Sequence, residues 1–140
     1  MTLIDTSLFV EAQRGRESAR QRLDELMRSP DEVAVSAMTI LEVYAAPRMT
    51  AEWARFYARV FDVVEVVDLD ADAAQEGARL ARDMARRGFK LHNADAAIAG
   101  CAARAGAEVI VAADADFTEL RGIHVEYVQP NWRLGAAPAR

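Results

Sequence analysis

Five acidic residues stand where solubility alone explains them poorly. Asp5 closes the apolar stretch Thr2-Leu3-Ile4, and Glu42 is the lone charge within Met38-Thr39-Ile40-Leu41-Glu42-Val43-Tyr44. Asp95 follows Asn93-Ala94, while Asp114 and Asp116 come after the apolar run Val109-Ile110-Val111-Ala112. Taken singly, Asp5 and Asp114 suit capping of a following helix or turn, Asp95 suits a helix N-terminal dipole, and Glu42 suits solvent. Glu42 fits least well, because its helix has little polar face and a carboxylate desolvated without a partner is costly. If the acids converge, each pair repels by about 4 kcal/mol at about 4 Å and an effective dielectric of about 20. Protons or a cation must then hold the cluster together. An all-oxygen set without His/Cys ligands at metal spacing favours Mg²⁺ or Mn²⁺ over zinc, and such an ion suits phosphoryl chemistry.

The elements that must position these acids follow from periodicity and punctuation. Thr2–Asp5 reads as a buried strand ending in a carboxylate, after which Thr6 or Ser7 caps a helix. Residues 15–28 form an amphipathic helix stopped at Ser29-Pro30, and Val33–Ser36 is a second strand. A helix over 37–46, apolar nearly all round, ends before Pro47. Thr50 caps a helix carrying the stripe Trp53, Phe56, Tyr57, Val60 and Phe61, followed by a strand over 63–67. Asp70 caps a long helix closed by Gly88, and a further helix opens near His92-Asn93-Ala94-Asp95 and closes at Gly106. Strands at Val109–Ala112 and His124–Val128 complete the chain. Short strands apolar on both faces, alternating with helices, predict an α/β sandwich whose parallel sheet is covered on both sides. Asp5 and Asp114/Asp116 then follow strand C-termini, where open parallel sheets place their ligand crevice.

Composition narrows the classes. The chain has 140 residues, 52% hydrophobic and 28% charged with 7 Gly and 4 Pro, which predicts one folded domain rather than a disordered chain. No apolar run reaches the ~20 residues of a membrane span, and the N-terminus lacks a signal-peptide pattern, so a cytoplasmic location and no membrane partner are expected. A net charge of −5 disfavours a bulk electrostatic nucleic-acid binder but not an enzyme that touches nucleic acid briefly. The single cysteine, Cys101, lies among alanines and reads as core filler rather than a reactive thiol. No nucleophile elbow and no phosphate-cradling glycine-rich loop is present.

Four segments, in order, carry a family resemblance: Leu3-Ile4-Asp5-Thr6-Ser7, Ser36 through Val43 with Glu42, Asn93-Ala94-Asp95-Ala96-Ala97-Ile98-Ala99, and Ala112–Phe117 followed by Leu120. Over residues 1–132 the chain resembles PIN-domain ribonucleases, specifically the VapC-like toxins of bacterial toxin–antitoxin pairs, with 133–140 left as a C-terminal tail that looks disordered from Gly135 to Arg140. The resemblance implies a PIN-like three-layer α/β/α sandwich with a central, mostly parallel sheet. It also implies a divalent-metal-dependent endoribonuclease using Mg²⁺, or Mn²⁺ in its place. Asp5, Glu42, Asp95 and Asp114 would be catalytic. Asp5 and Asp95 would hold the metal with Asp114 or Asp116, and Glu42 would support the metal or its water. The family's customary hydroxyl before the fourth acid is replaced here by Ala112-Ala113.

A metal-activated water would attack in line, leaving 5′-phosphate and 3′-hydroxyl ends by the family's pattern. Thr6 and Ser7 would hydrogen-bond the acids or bind the substrate phosphate at the helix N-terminus, or act as ordinary caps. His92 suits a rim or structural role better than a proton shuttle, and His124 more so. Implied partners are an RNA substrate, a cognate antitoxin lying in a groove near the site, and a second copy in a homodimer. The aromatic stripe fits a core as well as such a groove. The alternative is a non-catalytic PIN-like binding module. A DNA-cleaving relative lacks room here for extra binding segments, and a phosphoacceptor receiver expects paired acids after its first strand, where Asp5 stands alone.

Overall fold

A computed structural model describes residues 1–133, so the tail, apart from Arg133, lies outside the described residues. Strand β1 (Thr2–Ile4) is the centre of a five-stranded sheet of order β3-β2-β1-β4-β5, with β2 (Val33–Ser36), β3 (Glu65–Val67), β4 (Val109–Ala112) and β5 (His124–Tyr127). Every pairing is parallel, with Ile4 registered against both Val35 and Val111. The expected sandwich is therefore present, with a sheet that is wholly parallel.

Helices α1 (Thr6–Gln13), α2 (Glu17–Leu26), α3 (Ala37–Ala45), α4 (Ala51–Val63), α5 (Ala71–Arg86) and α6 (Asn93–Arg104) supply the outer layers. Alternation along the strands divides the interior in two. Leu3, Ala34, Ile110 and Ala112 join Leu80, Met84 and Ile98 of α5 and α6 in one core. Ile4, Val33, Val35 and Val111 join Phe9, Leu23, Tyr57 and Val60 of α1, α2 and α4 in the other. Cys101 is fully buried in the first core, which pushes its thiol up to about 11.

Three local expectations change. Asp5, not Thr6 or Ser7, is the N-cap of α1: its carboxylate accepts the Ser7 amide, while Thr6 lies inside the helix. The strand expected over 63–67 begins only at Glu65, because α4 runs on through Val63 and the Val64 amide still donates to Val60 at 3.1 Å. The apolar helix at 37–45 turns only part of its surface inward, leaving Leu41 61% and Tyr44 41% exposed. Thr50 and Asp70 cap α4 and α5 as expected, accepting the amides of Trp53 and Ala73. The aromatic stripe is largely core. Tyr57 is fully buried, donates its hydroxyl to Gln13, and meets Phe9, Trp53, Phe56 and Phe61 ring to ring.

Helices α5 and α6 cross at two glycines, Gly77 and Gly100. A Cβ at Gly77 would run into the Ala96 carbonyl, and one at Gly100 into the Ala73 carbonyl and the Gly77 backbone. Backbone cannot yield as a side-chain tip can, so α6 must move to admit even a methyl group. Gly100→Ala is expected to cost about 1–3 kcal/mol, against the small gain an alanine gives in a free helix. Denaturant titration checks this, and an unchanged midpoint would contradict the crossing.

Candidate active site

The chain runs from β1 outward to β2 and β3, then returns across β1 to β4 and β5, so strand order reverses between β1 and β4. Such a switch point opens a crevice beyond the strand C-termini. Asp5 follows β1 there, and its amide donates to Val111 at 2.9 Å, holding it beside the end of β4. Asp114 leaves β4 two residues past Ala112. Helix α3 brings Glu42, and the first turn of α6 brings Asp95. All four, with Asp116, Thr6, Ser7 and His92, line one open cavity of about 390 Å³. Every site residue expected from sequence is thus at this cavity.

The hydroxyls at the start of α1 hold the acids. Ser7 donates both its amide (3.0 Å) and its hydroxyl to Asp5 Oδ2. Its Oγ in turn accepts the Ala113 amide at 2.8 Å, tying the loop that carries Asp114 to the first strand. Thr6 donates to Glu42 Oε1 at 2.7 Å and shares a hydrogen bond with the Thr39 hydroxyl at 2.9 Å. Of the roles expected for Thr6 and Ser7, contact with the acids is the one seen. Asp114 is half-buried, Asp116 is exposed, and Asp114 Oδ1 accepts the Asp116 amide at 3.1 Å. His92 is exposed at the rim and caps α6 without a side-chain bond, whereas His124 sits on β5 away from the cavity.

Two charged residues at the cavity were missed by sequence reasoning. Glu11 and Arg14 lie four and seven positions after Ser7, on the same face of α1 or its immediate extension, and that spacing was the available signal. They pair at 3.0 Å, and Arg16 meets Glu11 at 3.2 Å while donating to the Ala113 carbonyl at 2.9 Å.

The electrostatics follow from crowding in a partly dry place. Burial, offset in part by the Ser7 bonds and reinforced by Asp114 and Asp95, raises Asp5 to about 7. Burial, then Asp116, Asp114 and Glu42, raises Asp95 to about 7. Asp114 is raised by burial too. Asp5 Oδ1 is buried with no hydrogen-bond partner. Among the described residues no three acids, histidines or cysteines stand together in a ready-made metal cage. An orphaned buried carboxylate oxygen amid like charges nevertheless fits a hard cation in donor type and charge.

A stability consequence follows. The folded protein keeps protons on Asp5 and Asp95 up to about pH 7, whereas the unfolded chain loses them near 3.8. Between those values the folded state binds more protons, so stability falls as pH rises and levels off above about 7. Thermal melts of the metal-free protein are expected to show a Tm declining from pH 4 to pH 7. A Tm that climbs over that range would overturn the assignment of raised carboxylates.

Known proteins share the fold of this chain. Residues 2–123 match the PIN domain family model. The fold is similar to FitAcB from Neisseria gonorrhoeae (22% identity, TM-score 0.70, covering 89% of this chain and 96% of that one). It is similar to VapBC-5 of the VapBC toxin–antitoxin family from Mycobacterium tuberculosis (27%, TM-score 0.57, 91% and 97%). A third similar structure is the sarcin-ricin loop cleaving toxin VapC20 from Mycobacterium tuberculosis (20%, TM-score 0.58, 89% and 99%). No curated protein sequence gives a match. With most of its length matched by the family model and its acids gathered at the sheet's switch point, the chain belongs to the PIN domain family.

Proposed function

We propose that the chain is a Mg²⁺-dependent endoribonuclease acting as the toxin of a toxin–antitoxin pair. The observation that carries this reading is the buried, unpartnered Asp5 Oδ1 in a cavity shared with Asp95, Asp114 and Glu42. Asp5, Asp95 and Asp114, with Asp116 at the rim, would hold the cation, Mn²⁺ serving in place of Mg²⁺. When bound, that cation offsets charge on the scissile phosphate and lowers the pKa of a bound water. Ser7 fixes the rotamer of Asp5 through two hydrogen bonds, and so decides which oxygen is left facing inward. Thr6 orients Glu42, whose carboxylate would support the metal or its water. The substrate is RNA, in keeping with the loop-cleaving neighbour.

The partner reading draws on the neighbour VapBC-5, a member of a family of toxin–antitoxin systems. A groove of about 270 Å³ between α2 and α4, lined by Leu23, Trp53 and Phe56 together with the charges of Arg20, Asp24, Glu52 and Arg59, suits an antitoxin segment with an apolar face. Exposed Leu41 and Tyr44 on α3 give a second copy apolar surface to cover. Among the described residues no helix is long and apolar enough to cross a membrane.

The test is incubation of antitoxin-free protein with cellular RNA in Mg²⁺, Mn²⁺ or EDTA. Cutting in the metals and none in EDTA is expected. No cutting, together with no Mn²⁺ binding by calorimetry, would favour the non-catalytic binding module.

A further inference from the structure

Resting on the ribonuclease reading, we infer that the segment Arg86–His92 is a dock for single-stranded RNA leading into the acidic cavity. In a chain of net charge −5, residues 84–94 contain no acid, and carry Arg86, Arg87, the only lysine Lys90, and His92. The segment is held in place rather than loose. Gly88 takes φ +86° after α5, and the amides of Arg87 and Phe89 both donate to the Met84 carbonyl at 3.0 Å. In this helix ending the residue in Phe89's position commonly packs against its own helix. Phe89 is instead 42% exposed. The Arg87 guanidinium, bound to Asp83 (2.9 Å) and the Glu119 carbonyl (2.6 Å), lies 5.7 Å from the ring centre and supports it.

Arg86 and Lys90 are exposed and form no ion pair among the described residues. The segment ends at His92, which shares the cavity wall with Asp95. A supported, open aromatic ring flanked by unpaired cations matches a ligand with both phosphates and free base faces. A duplex hides those faces, which favours a single strand. The dock also answers an electrostatic need: the acids that would hold the cation repel a polyanion, and this segment attracts it next to them.

The experiment uses the Asp95→Asn protein in Mg²⁺, so that the probe stays intact, and reads anisotropy of a short fluorescein-labelled single-stranded RNA across a salt series. Phe89→Ala is expected to weaken binding about tenfold, as loss of one stacked base does. Lys90→Gln, on an exposed side chain that leaves folding alone, is expected to lower the slope of log affinity against log salt by about 0.7. Unchanged affinity and slope in both variants would overturn the dock. So would a Phe89→Ala variant that keeps its RNA affinity but changes mass in sedimentation, which would assign the ring to contact between copies. Cleavage by the parent protein with unaffected variants would sink the dock and spare the ribonuclease. Variant-sensitive binding without any cleavage would do the reverse.

Discussion

Asp95→Asn is expected to lower the rate of RNA cleavage at least about a thousandfold while leaving the fold intact. The side chain keeps its size at the third position of α6, so the helix and its crossing with α5 persist. What disappears is one charge opposite a cation, an attraction of about 4 kcal/mol at about 4 Å and effective dielectric about 20, which is about three powers of ten in rate. The metal-free variant should also lose part of the decline in Tm between pH 4 and pH 7, since one of the two raised carboxylates is gone. Cleavage assays beside thermal melts separate the two readouts. Retained cleavage in a folded variant would remove Asp95 from the chemistry.

The second large effect is on stability and involves residues that do not line the cavity. Arg22 on α2 donates through Nε (2.7 Å) and Nη2 (2.9 Å) to Glu126 on the edge strand β5, and its third contact is Glu25 at 2.8 Å. Glu126 is 4% exposed, and Trp132 lies under the guanidinium, 5.8 Å from its carbon to the ring centre. Arg22→Met leaves a buried carboxylate without its cation, a loss of about 3–5 kcal/mol. For a chain of this length the melting temperature should drop by about 10–20 °C. Adding Glu126→Leu should recover most of that, because an apolar pair of similar volume removes the desolvated charge. A double variant no more stable than Arg22→Met alone would refute the account.

The layout of the candidate site was readable because the acids punctuate strand and helix ends. Asp5, Asp95 and Asp114 follow apolar segments whose pattern places them, and Glu42 is conspicuous by its isolation. What stayed hidden depends on contacts distant in the chain. Arg22 and Glu126 are separated by 104 positions, and nothing local marks either as buried. Glu11 on α1 and Arg14 just past its end look like ordinary solvated charges until the cavity forms over that face. Asp5 doubles as strand terminus and helix cap since only one residue separates β1 from α1, which excludes Thr6 from the capping position. The exposed side of α3 was also unreadable, because apolar periodicity cannot distinguish a face turned to the core from one turned outward.

The glycine crossing of α5 and α6 has a genetic side. Every replacement of Gly77 or Gly100 adds at least a Cβ, and at both positions that atom meets backbone. Selection for cells that escape the activity should therefore recover alleles at codons 77 and 100 alongside those at the acid codons. Alleles of the first kind would reduce the amount of folded protein, and those of the second would leave abundant but inert protein, so an immunoblot of survivors would sort them.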